Sequence, residues 1–245
     1  MKDAFVPPDS LGPVRDLGPS VMRDLWIVVP AFNEEKKIGD VVREIRRQCP
    51  NVVVVDDGSE DWTLQRALEA GATVLRHSIN RGQGAALQTG LKYALLGGAR
   101  YLVTFDADGQ HPIDALPRLL SPILDGKAEI VLGSRFLRDA GQVPQARRAL
   151  LGGAVLFTRV FSRVKLTDAH NGLRAFSRRA AGMIDIQLDR MAHASEIIDQ
   201  VRASGLPYTE VPVQIRYTEY SRAKGQRASG AIRIVIDYFL GRLLG

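Results

Sequence analysis

The chain has 245 residues, 45% of them hydrophobic and 24% charged, which is the balance of an ordinary globular protein and long enough for one substantial α/β domain with its own core. A net charge of +6 and a pI near 9.7 favour anionic partners such as nucleotide phosphates, acidic lipid headgroups or nucleic acid. The single cysteine, Cys49, excludes an internal disulfide and a cysteine-rich zinc site, and no apolar run approaches the ~20 residues that span a bilayer. The first eight residues also lack the apolar core of a signal peptide, so the expected location is cytoplasmic, with peripheral contact at the cytoplasmic membrane face.

Residues 1–23 carry four prolines and no sustained period, and read as a flexible arm. Leu25 to Pro30 is a continuous apolar run that predicts a buried parallel strand. The helix that follows places Ile38, Val41, Val42 and Ile45 on one face and Lys36, Lys37, Arg43, Arg46 and Arg47 in water. Asn51 to Val55 repeats the strand pattern, ends in Asp56-Asp57-Gly58-Ser59, and leads to a helix from about Asp61 to Ala70. A short third strand, Ala72 to Arg76, precedes the loop Asn80-Arg81-Gly82-Gln83-Gly84 and a helix from Ala85 to Leu96, whose small residues Ala85, Ala86 and Gly90 allow close packing on the sheet.

Tyr101 to Phe105 is the fourth strand, Ile113 to Leu124 a helix, and Glu129 to Leu132 the fifth strand. Five strand and helix alternations predict a mostly parallel, doubly wound sheet with right-handed crossovers. Beyond Arg138 the regularity fails. Ala146 to Val164 reads as a basic amphipathic helix, Leu166 to Phe176 as a polar loop entering a strand, and Ala194 to Ala203 as a helix. Tyr208 to Tyr217 alternates like a strand, with Pro212 marking it as an edge, and Ile232 to Leu244 closes the chain as a further amphipathic helix. The two basic amphipathic segments offer either a surface for acidic lipid or a face for core or dimer packing.

Three strand ends present acids: Glu34 after the first, Asp56 and Asp57 after the second, Asp106 and Asp108 after the fourth. Open α/β sheets bind ligands at the carboxyl ends of their strands. Asp106 and Asp108 alone would read equally as caps of the next helix. Acids converging from distant strand ends need positive charge among them, and a nucleotide with a divalent cation supplies it. The oxygen-rich set suits Mg²⁺ or Mn²⁺, which keeps few carboxylates and completes its shell with water and phosphate, and Gly109 permits the turn that brings both aspartates to one ligand. The loop at 80–84 lacks a Walker ending and reads as well as a tight turn before a packed helix. His111, His170 and His193 lack ligand spacing, so zinc is not expected. A nucleic-acid binder would explain the charge and leave the acids without purpose.

As a set, Val29-Pro30-Ala31-Phe32-Asn33-Glu34-Glu35, Val55-Asp56-Asp57-Gly58-Ser59, Asn80 to Ala86, Asp106-Ala107-Asp108-Gly109-Gln110-His111-Pro112, Gly133-Ser134-Arg135-Phe136, Asp168 to Arg174 and Glu210-Val211-Pro212-Val213 resemble the family 2 glycosyltransferases. Within that family the likeness is to the dolichyl- and polyprenyl-phosphate sugar transferases. The resemblance implies a GT-A fold, α/β with a mostly parallel central sheet and helices on both faces, over residues 24–226, followed by the helix at 227–245. It implies inverting transfer of a hexose from a GDP- or UDP-sugar to a polyprenyl phosphate, with Mg²⁺ or Mn²⁺. Pro30, Phe32, Glu34 and Asp57 would line the nucleoside pocket, with Val55 and Ala107 in the same donor motifs, while Asp106, Asp108 and Gln110 would bind ribose and the metal diphosphate. Arg135, Arg174 and Lys224 would face the donor diphosphate and the acceptor. A lipid phosphate needs no strong base, whereas a hydroxyl acceptor needs one, for which Asp108, Asp168 and Glu196 are candidates. A glycan or small soluble acceptor is the alternative, and a nucleotidyltransferase would share the fold class and the metal.

Overall fold

The computed structural model describes residues 4–137, 166–168, 171–188 and 193–216. The basic segments at 146–164 and 227–245, and Lys224, lie outside the described residues.

Seven strands form one sheet: β1 (Leu25–Ala31), β2 (Asn51–Asp56), β3 (Thr73–Arg76), β4 (Tyr101–Thr104), β5 (Ile130–Ser134), β6 (Arg174–Ser177) and β7 (Tyr208–Pro212). Their order across the sheet is β3-β2-β1-β4-β6-β5-β7, and every pair is parallel except those made by β6. The helices are α1 (Pro19–Asp24), α2 (Ile38–Arg46), α3 (Thr63–Glu69), α4 (Gln83–Leu96), α5 (Leu116–Leu124), α6 (Arg178–Ala181) and α7 (His193–Ser204).

Side chains alternate across a strand, so each strand feeds both layers. Leu25, Ile27 and Val29 of β1 join Ile38, Val41, Val42 and Ile45 of α2 and Leu116, Leu119 and Leu120 of α5 on one face. Val28 points the other way, into Leu87 and Leu91 of α4 and Ile197, Ile198 and Val201 of α7. The predicted close approach of α4 is borne out, since a Cβ on Gly90 would overlap Val28 Cγ1. Cys49 is buried, its Sγ 3.3 Å from the Leu25 carbonyl, and burial pushes its thiol up to about 11.

Two features go beyond the sequence reading. The segment expected to be a flexible arm is laid along β7 instead: Val6 N–H donates to the Tyr208 carbonyl at 2.8 Å, Tyr208 N–H donates to the Ala4 carbonyl at 3.0 Å, and Arg15 pairs with Asp125 at 2.9 Å. An edge strand carries unpaired backbone groups, and these contacts satisfy them. The second is β6, whose direction the sequence left open and which runs antiparallel between β4 and β5, with Arg174 in register with Thr104 on one side and Leu132 on the other. Parallel strands deliver their last residues to the ligand edge. An antiparallel strand delivers its first, so Arg174 arrives at the edge where β4 releases Asp106.

Candidate active site

A cavity of about 370 Å³ opens at the carboxyl edge of the sheet, lined by Pro30, Ala31, Phe32 and Glu34 after β1, Asp57 after β2, Asn80, Gly82, Gln83 and Ala86 around the start of α4, and Asp106, Ala107 and Asp108 after β4. Its floor lies between β1 and β4, whose connections leave in opposite directions across the sheet, the position at which doubly wound folds form a crevice.

The first wall is a pair of interlocked loops. Asn33 adopts φ 53°, which asparagine tolerates, and its N–H donates to Ser59 Oγ at 2.9 Å while its Oδ1 accepts from Glu60 N–H at 3.0 Å. Glu34 N–H donates to Thr63 Oγ1 at 2.7 Å. Of the two acids at 56–57, Asp56 turns inward, fully buried, accepting from Ser59 N–H and pairing with Arg76 at 3.3 Å. Asp57 faces the cavity and accepts from Arg81 N–H at 3.0 Å and Gly82 N–H at 2.6 Å.

At the second wall Gly109, with φ 73°, turns the chain as expected, and Asp108 Oδ1 accepts from Gln110 N–H at 3.0 Å. Neither aspartate caps the following helix: the residues before the 3-10 turn Ile113–Ala115 and before α5 are Pro112 and Ala115, without a side-chain cap bond. Asp106 Oδ2 meets His111 Nε2 at 2.9 Å and its Oδ1 accepts from Gln83 Nε2 at 3.3 Å. Burial works against the Asp106 charge, but the His111 hydrogen bond and the nearby Arg174 charge hold its carboxyl below the usual range. Burial and the Asp106 charge push Asp108 up. Among the described residues no three His, Cys, Asp or Glu gather to cage a metal by themselves. Two half-buried carboxylates on an open cavity are instead the donor set of a Mg²⁺ or Mn²⁺ that takes the rest of its ligands from water and phosphate, so the residues present fit that cation.

Behind Asp106 lies a buried ionic cluster. Arg174 is 2% exposed, its Nη1 has no hydrogen-bond partner, and burial lowers its pKa against the opposing charges of Asp106 and Asp168. Asp168 holds Arg135 bidentately, Oδ2 to Nε at 2.6 Å and Oδ1 to Nη2 at 2.7 Å. Glu210 of β7 accepts from the Thr167 and Asp168 N–H groups at 2.9 and 3.0 Å, and burial pushes its carboxyl up to about 7. Gly172 lets the chain pass Asp106, because a Cβ there would overlap the aspartate's carboxylate.

The sequence-predicted residues therefore divide. Pro30, Phe32, Glu34, Asp57, Asp106, Ala107 and Asp108 converge on one cavity, and Arg174, Asp168 and Arg135 form the adjoining cluster. Val55 is corrected from a donor contact to a core residue, since its side chain is fully buried and packs with Val53 and Ala86 beneath α4. Glu196 is not on the cavity wall; its carboxylate accepts from Gln187 and Leu188 N–H at 2.9 and 2.8 Å and closes the turn before α7. Gln110 contributes its backbone, donating to Asp108 and accepting from Arg216 N–H at 2.8 Å. Arg216 itself reaches back to Glu44 at 3.1 Å. Gln83, His111 and Glu210 carry contacts to which the sequence assigned no role. All three stand in motifs already singled out, but only their partners reveal what they hold.

Comparisons with known proteins bear on the family and the fold. The family model for glycosyl transferase family 2 matches residues 26–183. The UDP-N-acetylglucosamine–dolichyl-phosphate N-acetylglucosaminyltransferase of Methanococcus voltae is 34% identical over 223 residues, covering 82% of this chain and 89% of that protein. The polyprenol monophosphomannose synthase of Mycolicibacterium smegmatis is 31% identical over 219 residues, covering 84% and 82%. Among solved structures, glucosyl-3-phosphoglycerate synthase from Mycobacterium tuberculosis, in complex with Mn²⁺, UDP and glucosyl-3-phosphoglycerate, superposes with a TM-score of 0.66 at 21% identity over 88% of this chain and 78% of that one, a likeness of fold. With the motifs in order along the chain, the doubly wound sheet and the acids gathered at its carboxyl edge, this chain belongs to the family 2 glycosyltransferases.

Proposed function

We propose that the protein moves a hexose from a nucleoside-diphosphate sugar to a polyprenyl phosphate with inversion at the anomeric carbon. The observation that carries this reading is the convergence of Pro30, Phe32, Glu34 and Asp57 with Asp106 and Asp108 on a single cavity that adjoins the buried guanidinium of Arg174. The ring of Phe32, 42% exposed, and Pro30 form an apolar wall for a nucleobase, and Glu34 and Asp57 supply acceptors for its edge and for ribose hydroxyls. Asp106 and Asp108 would hold Mg²⁺ or Mn²⁺, which supplies positive charge against the departing diphosphate. His111 and Gln83 fix the Asp106 carboxylate, so its oxygens are placed before the donor arrives.

The state of the carboxylates favours an acceptor that is already an anion. Asp168 is committed to Arg135, Glu196 to two backbone amides and Asp108, in this reading, to the metal, so none of the three is poised to take a proton from a hydroxyl. A polyprenyl phosphate is ionised near neutral pH and needs no such base. Arg174, with an unpartnered Nη1 beside Asp106, offers the positive charge that would draw an anionic acceptor to the anomeric carbon from the face opposite the diphosphate. The names of the two relatives, one acting with dolichyl phosphate and the other named for polyprenol, support the same acceptor class. Among the described residues no helix is long and apolar enough to cross a membrane.

The test is to incubate the protein with Mn²⁺ or Mg²⁺, polyprenyl phosphate and a panel of UDP- and GDP-sugars and to follow sugar into the organic phase. Asp108→Ala is expected to lower the rate at least about a hundredfold, the scale of losing a group that stabilises developing charge. Donor binding that depends on Asp108 without a lipid product would move the acceptor to glycans or soluble compounds. Release of pyrophosphate in place of a nucleoside diphosphate would favour a nucleotidyltransferase.

A further inference from the structure

We propose that His77, outside every motif the sequence offers, is a positioning residue for the nucleoside end of the donor site, acting through Asp57 on the turn at 80–82. The inference rests on the donor-site reading above and adds to it the group that sets one cavity wall.

His77 directly follows β3, and its own N–H donates to the Asp56 carbonyl at 2.9 Å, which fixes the ring's root beside the end of β2. The side chain is 11% exposed and both ring nitrogens are engaged. Nδ1 lies 2.7 Å from Asp57 Oδ1, and Nε2 lies 2.9 Å from Thr89 Oγ1 of α4. A carboxylate accepts only, so Nδ1 carries a proton and donates it to Asp57, while Nε2 makes the contact with the Thr89 hydroxyl.

Asp57 therefore takes three donors, from His77, Arg81 N–H and Gly82 N–H. Its side chain is 4% exposed, and its own N–H is bound to the Ala31 carbonyl at 2.9 Å. The carboxylate is thus a rivet between β2, the tail of β3 and the turn that opens α4. That turn is not a free rim. Gly82 has φ 95°, a conformation that ordinary residues resist, and Asn80, Gly82 and Gln83 all line the donor cavity. Gln83 goes on to reach Asp106. A single rotamer of Asp57, chosen by His77, therefore sets the wall against which the nucleoside would lie and the first link towards the metal-binding acids. Charge-assisted hydrogen bonds at buried sites are strong enough to select that rotamer.

The experiment uses the full chain and measures Kd for UDP and for GDP with Mn²⁺ by calorimetry, beside kcat and the KM of donor and acceptor. His77→Ala is expected to raise the nucleotide Kd and donor KM about tenfold, with acceptor KM and kcat at saturating donor held within about twofold. The Asn amide nitrogen occupies the place of Nδ1, and the Gln amide that of Nε2. His77→Asn should therefore recover most of the donor affinity, and His77→Gln should not. Equal donor KM in wild type and His77→Ala would overturn the proposal and leave the donor site intact. Equal effects of Asn and Gln, with acceptor KM and melting temperature moving together, would reduce the ring to a clip between β3 and α4. Failure of the wild-type protein to bind either nucleotide would remove the donor site, and the proposal with it.

Discussion

A Cβ on Gly172 would overlap the carboxylate of Asp106, and that carboxylate is already held by His111 and Gln83, so it has nowhere to retreat. Gly172→Ala is expected to lower transfer at least tenfold and to cost about 1–3 kcal/mol of stability, the usual scale for overpacking a filled site. Paired denaturation and activity measurements check both. Glu210 bears on pH. Burial, and the Asp168 charge beyond it, outweigh the hydrogen bonds from Thr167 and Asp168 and push its carboxyl from 4.5 up to about 7. The folded chain thus binds that proton more tightly than the unfolded chain does. The resulting stabilisation is complete below about 4.5 and is lost as pH rises through about 7. Glu210→Gln cannot titrate, so relative to wild type it should remove up to about 3 kcal/mol of decline across that window, read from denaturant midpoints at successive pH values. An unchanged slope would show that Glu210 is not the group responsible.

At the level of elements, the segment before β1 has a job that composition concealed. Its prolines and lack of period suggested an arm, yet Val6 and Ala4 exchange backbone hydrogen bonds with Tyr208, Phe5 lies with its ring centroid 5.4 Å from that of Tyr208, and Arg15 N–H reaches Ser121 Oγ at 2.7 Å. Periodicity could not report this, because a strap that pairs at only a few residues has no repeat of its own. Deleting residues 1–18 should expose the backbone of β7, lower the melting temperature by several degrees and promote association visible in light scattering. Unaltered melting would mean that the contacts along β7 contribute nothing to the edge. The helices were more transparent. Ile38, Val41, Val42 and Ile45 have only one way to be buried together, and α2 buries them.

Across the whole molecule, the alternation of apolar runs and amphipathic segments from Leu25 to Ser134 was enough to determine the mostly parallel sheet, its helices on both faces and the edge at which the acids gather. Those features follow from local patterns, since a run of Val and Ile ending in Asp can be read without knowing its neighbours. The same reading found Asp106 and Asp108 and the turn at Gly109. It could not find the direction of β6, because a four-residue strand carries no mark of its partners, and that direction alone brings Arg174 to Asp106. The choice of Asp57, which lines the cavity, over Asp56, which faces inward, came from the resemblance and not from the local pattern, and neither foresaw that Asp168 is spent on Arg135 and Glu196 on backbone amides. By itself the sequence determined the fold class and the chemistry of the residues at the ligand edge. Only the tertiary structure decided which carboxylates remain available to a ligand, because the ion pairs that occupy Asp168 and Asp56, with Arg135 and Arg76, join residues 33 and 20 positions apart in the chain.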